Sequence, residues 1–264
     1  MGTGEYYAIT NTAISNSKIR DFVKSRHYYW ERHVAGTAGK DMTPAMMVGL
    51  MVDAEFSGYS VEWWLKENMG EKVRTSDIEK SKEIAHAMKS SAAFKWYEGK
   101  NVMKQRPLVS SFISDNVLVH HCGIPDAITI HEDKVYIDDL KVTAPSNFKT
   151  AKAWSYRCAD MGYFRQMGNY CQLVAECVPE AKGKEIICRH LVMGSVKDGV
   201  YPAAVFTLDS ASVARGWTEF KELATEITRL GNSEANFVDE PVAWDTAESI
   251  GYQSWDTAVE ALII

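Results

Sequence analysis

An α/β fold, with a central mixed β-sheet flanked by helices, is what three features of this chain predict. Residues 134–143, KVYIDDLKVT, are β-branched and aromatic enough to form a strand. Two more strand-like runs, EIICRHLVM at 185–193 and YPAAVFTL at 201–208, surround a turn. Helix-patterned stretches at 152–177 and 210–230 alternate with them, and helices interleaved with strands pack onto a sheet.

The elements follow in order. Serine ahead of a periodic run is a good N-cap, so the stretch Ile14 to Trp30 predicts a helix beginning near Ser15 or Ser17. Residues 63–99 read as helical, with loops around 70–77. Pro125-Asp126 then opens a hairpin that turns at His131-Glu132-Asp133 into the 134–143 strand. Strand side chains alternate faces. Val135, Ile137, Asp139 and Lys141 therefore share one face, while Tyr136, Asp138, Leu140 and Val142 take the other. Asp139 and Lys141 stand about 7 Å apart at their Cα atoms, and the hairpin brings Asp126 alongside. Asp138 points away, so its replacement is expected to be mild. Two carboxylates and an ammonium converging on a sheet can hold Mg²⁺ and activate water beside it. In the 152–177 helix, a spacing of four puts Gln166 and Tyr170 on one face, which Tyr163 and Met167 share.

Each signal has an ordinary counterpart. A D-x-K pair also arises as charged alternation on an exposed strand, the Gln166 face as amphipathic packing, and Ser15 and Ser17 as plain caps. Helix N-termini do bind anions, so Ser15, Ser17, Lys18 and Arg20 form a candidate seat for a DNA phosphate.

Composition bounds the rest. A chain of 264 residues, 46% of them apolar, suits one compact domain with a sizeable core. We expect a helical part at about 1–100, a catalytic core at about 101–230 and an acidic segment at about 232–264. No apolar run is long enough for a membrane span, and the start, MGTGEYYAIT, lacks the features of a signal peptide. The five cysteines, at 122, 158, 171, 177 and 188, have no paired C-x-x-C spacing. They read as free thiols of a cytoplasmic protein, without a zinc or iron–sulfur site. The net charge of −6 is unevenly spread: residues 1–40 hold six Lys/Arg against three acids, and residues 232–264 hold seven acids and no Lys or Arg. That asymmetry fits DNA binding on one surface; an acidic solvated face is the plainer reading of the tail.

In their order along the chain these motifs resemble the PD-(D/E)XK nuclease superfamily, in its RecB-like branch. Pro125-Asp126 and Asp139-Leu140-Lys141 match its signature, with Asp where Glu is commoner. Gln166-Met167-Gly168-Asn169-Tyr170 matches its Q-x-x-x-Y motif, and the Ser15–Trp30 run its opening helix, with Arg26 in place of a proline. Gly49-Leu50-Met51-Val52-Asp53 matches G-x-x-x-H with Asp53 at the histidine position and Glu55 as the next candidate. Residues 105–112, QRPLVSSF, lack the acid that some relatives carry on the strand before Pro125.

The resemblance is nearest to RecE-like phage and prophage exonucleases of the exodeoxyribonuclease VIII type and spans nearly the whole chain. It implies a restriction-endonuclease-like core and a Mg²⁺-dependent enzyme, with Mn²⁺ able to substitute. Such an enzyme degrades one strand of duplex DNA from an end, 5′ to 3′, in phage-type recombination. Asp53, Asp126, Asp139 and the Leu140 carbonyl would then hold the metal, Lys141 would act on water, and Gln166 and Tyr170 would position water or DNA. It further implies double-stranded DNA ends and a single-strand annealing protein as partners, a ring trimer or tetramer, and a bacterial host cytoplasm. Two other readings stand beside it: a structure- or sequence-specific endonuclease of the same superfamily, and an inactive DNA- or partner-binding relative.

Overall fold

Ten residues of strand, Lys134–Thr143, form the spine of the molecule. In this computed structural model, which describes residues 12–39, 42–67, 73–195, 201–239 and the backbone of 259–263, eight strands and nine α-helices are described. The helices are α1 (Asn16–Lys24), α2 (Arg26–His33), α3 (Pro44–Ser57), α4 (Val61–Glu67), α5 (Thr75–Ser90), α6 (Ala92–Lys95), α7 (Ala151–Asp160), α8 (Tyr163–Cys177) and α9 (Ser210–Leu230). The strands are β1 (Val102–Lys104), β2 (Leu108–Ser114), β3 (Val117–Gly123), β4 (Ala127–His131), β5 (Lys134–Thr143), β6 (Glu185–Gly194), β7 (Ala203–Leu208) and β8 (Val259–Ile263).

Six strands make the central sheet, in the order β1-β4-β5-β6-β7-β8, while β2 and β3 pair separately. Only the β5–β6 pairing is parallel among these ladders, so the sheet is mixed, as expected. The β5–β6 crossover runs through α7 and α8, the helical connection that parallel neighbours need. Alternation along β5 has the expected sense. Val135 and Ile137 pack with Trp154, Phe164 and Met167 of α7 and α8. Leu140 packs on the other face, with Met51 and Phe56 of α3 and Met88 of α5. Helices thus cover both faces. A third core joins α1, α2, α9 and β3 through Ile19, Phe22, Val119 and Phe220.

The sequence expectations hold unevenly. Ser15 caps α1 as foreseen, accepting from the Lys18 N–H, but the Ile14–Trp30 stretch is two helices because Ser25 ends α1 and caps α2. The 152–177 stretch is also two helices. Gly162, at φ +66°, turns the chain between them, and a Cβ there would meet the Arg165 guanidinium at 2.4 Å. Of residues 105–112 the part from Leu108 is strand, in β2, but β3 stands between it and Pro125, and the strand paired with β4 is β1. Most of the acidic C-terminal segment, 240–258, lies outside the described residues, while 259–263 pairs with β7. Among the described residues no helix is long and apolar enough to cross a membrane.

Candidate active site

The side chains converge where β4 begins, and the ladder explains why. Ala127 pairs with Asp138, so one step further along the antiparallel register Asp126 stands opposite Asp139. Its Oδ2 accepts from the Leu140 backbone N–H at 2.6 Å. Leu140 is therefore seen here through its amide, while its side chain is buried among the α3 and α5 residues.

Asp139 and Lys141 point toward α8, the face on which Val135 and Ile137 are packed. Asp139 is buried, and its Oδ2 pairs with the Lys141 ammonium. Gln166, one turn into α8, donates from Nε2 to Asp139 Oδ1 at 3.1 Å and to the Tyr170 hydroxyl at 3.0 Å; its Oε1 accepts from Lys141 Nζ at 3.1 Å. The spacing of four that puts Gln166 and Tyr170 on one face thus ends in a bond between them. Tyr170 has room because of Gly123, where a Cβ would meet the tyrosine ring at 2.6 Å.

Asp53 reaches the cluster from α3, the helix on the opposite side of the sheet from α8. That helix is set by its ends: Thr43 caps it, Pro44 opens it, and Gly58, at φ +97°, closes it. Glu55 is occupied elsewhere, paired with Lys89 and accepting the Val61 N–H at 3.0 Å. Between Asp53 and Asp126 sits a residue the sequence reading passed over. Gln105 Nε2 lies 3.0 and 3.2 Å from the two Asp53 oxygens and 3.1 Å from Asp126 Oδ1.

The electrostatics follow from this crowding. Burial raises the Asp53 carboxyl to about 6, the Asp139 charge adding to it while Lys141 and Gln105 oppose. Burial also pushes Asp126 well above the ordinary range, reinforced by Asp53 and Asp139. Asp139 is raised by burial too, against the pull of Lys141. For Lys141 burial acts downward, yet Asp139 and its neighbours win and hold it above its usual value. Its ammonium also lies 4.4 Å from the centre of the Tyr163 ring.

Asp138, on the other face, is not the minor residue the alternation suggested. It is wholly buried and holds Arg189 through two hydrogen bonds of 2.6 and 2.8 Å. Its face is the one the alternation predicts, and what the alternation does not convey is that this carboxylate anchors a buried ion pair whose guanidinium lies between Trp96 and Tyr136, 4.0 and 4.5 Å from their ring centres.

Ser15, Ser17, Lys18 and Arg20 form a helix start as foreseen, but three are already engaged. Ser15 and Ser17 hydroxyls bond each other at 2.9 Å, and Lys18 Nζ donates to the Ala13 carbonyl at 2.9 Å. Arg20 is exposed. The sequence reading also missed Tyr163 as a neighbour of Lys141, and Gln105 altogether. The only signal for Gln105 was a polar residue where an acid was sought.

The side-chain donors Asp53, Asp126 and Asp139 suit a hard divalent cation, since all are carboxylate oxygens. Yet among the described residues no three His, Cys, Asp or Glu side chains gather as a preformed metal cage. Amide groups of Gln105 and Gln166 satisfy the carboxylates instead. The donor set fits the ion in kind.

No protein-family model and no curated protein matches this sequence. Among solved structures, one described as "Putative exonuclease" from Eubacterium rectale superposes with a TM-score of 0.68 at 15% identity. The match covers 90% of this chain and 88% of that one. The two proteins share a fold. A second, SSO0001, reaches a TM-score of only 0.34 at 11% identity, over 76% of this chain and 84% of that one, too low to argue from.

Proposed function

We propose that this protein is a divalent-metal-dependent nuclease of the PD-(D/E)XK type, an exonuclease that degrades one strand of duplex DNA from its ends. One observation carries the reading. Asp126, Asp139, Lys141, Gln166 and Tyr170, chosen from motif spacing over 45 residues of sequence, belong to one half-buried polar constellation that Asp53 joins from a distant helix. The fold shared with the Eubacterium rectale protein supports it.

In this reading Asp53, Asp126 and Asp139 hold Mg²⁺ or Mn²⁺, with the Leu140 carbonyl beside them. When bound, the cation supplies Lewis acidity, lowering the pKa of a water and offsetting charge on the scissile phosphate. The chain's own groups do the rest. Lys141, held beside Asp139, places a positive charge facing the developing negative charge and orients the water. Gln166 ties that ammonium to Asp139 and so sets its direction. Tyr170 limits how far the Gln166 amide can turn. Cleavage from 5′ to 3′, phage-type recombination, a ring-shaped oligomer and an annealing partner extend the same proposal through the RecE-like resemblance.

The test is digestion of linear and covalently closed circular duplex DNA with Mg²⁺, Mn²⁺ or chelator. We expect linear duplex to be converted to nucleotides and one remaining strand, circles to stay intact, and chelator to stop the reaction. Asp139→Asn and Lys141→Ala should each cut the rate at least about a hundredfold while the fold is retained. Cutting of circles would favour an endonuclease; no cleavage at all, with no metal-dependent stabilisation, would favour the inactive relative.

A further inference from the structure

We propose that the Gln105 side-chain amide is a stand-in for the cation: it bridges Asp53 and Asp126 in the metal-free protein and must leave for a divalent ion to bind there. The proposal rests on the metal-dependent reading above.

Three observations lead to it. A single nitrogen, Gln105 Nε2, lies within 3.2 Å of three oxygens on two carboxylates that come from different elements. An amide nitrogen has two N–H groups, so this one is fully used in holding the two acids together. The backbone is bent to deliver it. Gln105 is at φ +48°, a conformation that side-chain-bearing residues seldom adopt, and its N–H bonds to the Asp126 carbonyl at 3.2 Å. Such backbone persists where its surroundings enforce it, typically at ligand sites.

The amide and an ion are mutually exclusive. Mg²⁺ sits about 2.0–2.1 Å from its oxygens, and a cation bridging Asp53 and Asp126 in the place between them would displace the nitrogen that stands 3.0–3.2 Å from the same atoms. The two carboxylates face each other across the amide, so when it goes something positive has to replace it. Metal binding is thereby coupled to a side-chain rotation, and the amide contacts in the metal-free protein oppose the ion. Gln105 acts through Asp53 and Asp126 and is a positioning residue.

The experiment is calorimetric titration of Mn²⁺ into the full chain without DNA, beside thermal unfolding in chelator. Gln105→Ala removes the amide. Gln105→Gly removes it and also relieves the left-handed backbone, so it remains informative where the alanine variant folds poorly. Both should bind Mn²⁺ at least about tenfold more tightly than wild type, and Gln105→Ala should lower Tm in chelator while losing that deficit at saturating Mn²⁺. Unchanged or weaker Mn²⁺ binding in both variants, with Asp126→Asn abolishing it, would overturn the stand-in and leave the metal site intact. Absence of any Asp126-dependent Mn²⁺ binding would overturn the metal-dependent reading and this inference with it.

Discussion

Two adjacent aspartates of β5 meet opposite fates. Asp139 faces α8 and enters the polar cluster, whereas Asp138 faces the other way and is sealed with Arg189. Neither side chain of the Asp138–Arg189 pair is appreciably exposed, and the hydroxyl of nearby Tyr97 has its pKa raised by burial and then by the Asp138 charge. Removing one partner of a buried pair leaves the other charge uncompensated, which costs about 3–5 kcal/mol. We therefore expect Asp138→Ala to lower unfolding free energy by about that amount, read from urea denaturation. A stable Asp138→Ala protein would mean that Arg189 finds another partner. Asymmetry between neighbours of identical type is a consequence of strand alternation, and alternation alone does not say which face is structural.

At the scale of elements, α8 carries Gln166 and Tyr170, and its position depends on α9. The two helices cross at Gly168 and Gly216. A Cβ on Gly216 would come within 2.2 Å of the Phe164 carbonyl oxygen, and one on Gly168 within 2.3 Å of the Trp217 nitrogen. These are backbone atoms and cannot rotate aside, so Gly216→Ala has to move a helix. Overpacking of this kind costs typically 1–3 kcal/mol, and α8 shifts with it. The expected outcome is a lower Tm together with loss of nuclease activity, measured against Gly39→Ala, an exposed position where no neighbour lies within 4 Å and the backbone is not left-handed; equal Tm values would show that the crossing is loose. This contact explains what the sequence could and could not convey. β5 and α9 were legible to the residue because local pattern, cap and composition agree along their whole length. The break at Gly162 was not, because the helical pattern continues through it and the turn rests on that residue's left-handed backbone, against which Arg165 packs. The β2–β3 hairpin hid for a related reason. Asp115 and Asn116, at φ +49° and +61°, are good residues for a two-residue turn, but nothing local says that its strands leave the main sheet. Gln105 was invisible: its meaning comes from Asp53 and Asp126, which lie 52 and 21 residues away.

For the whole molecule, the sheet separates two cores, and a third core closes around β3, α1 and α9. Ionisable groups are buried at the junctions, and they respond to pH in opposite senses. The raised carboxylates Asp53, Asp126 and Asp139 are most stabilising when protonated, so in metal-free protein their contribution is lost as pH rises; for Asp53 that loss runs from its unfolded value to about 6. The buried histidines act the other way. His121, fully buried against Phe112, Trp217 and Phe220, bonds Asn169 through Nδ1 at 2.7 Å. Burial lowers its pKa despite the Asn169 bond and the Glu176 carboxylate 3.8 Å from Nε2, and His120 adds to the lowering. A depressed histidine contributes stability above its unfolded pKa of about 6.5, and that contribution is lost as pH falls through the window below. Each pH unit in that window costs up to about 1.4 kcal/mol until the folded group itself protonates. His190, buried near Lys141, changes stability in the same direction. The overall pH profile therefore mixes both kinds of group, and a difference between two proteins isolates one of them. His121→Gln keeps a hydrogen-bonding partner for Asn169 and cannot titrate. At pH 8 it should be less stable than wild type, because an imidazole that fills the aromatic pocket has been lost. On lowering the pH to 5 the wild type alone pays for a neutral histidine, so the deficit should shrink steadily below pH 6.5. Chemical denaturation in chelator at several pH values measures it, and a deficit that stays constant from pH 8 to 5 would mean that His121 titrates in the folded protein as it does in the unfolded chain.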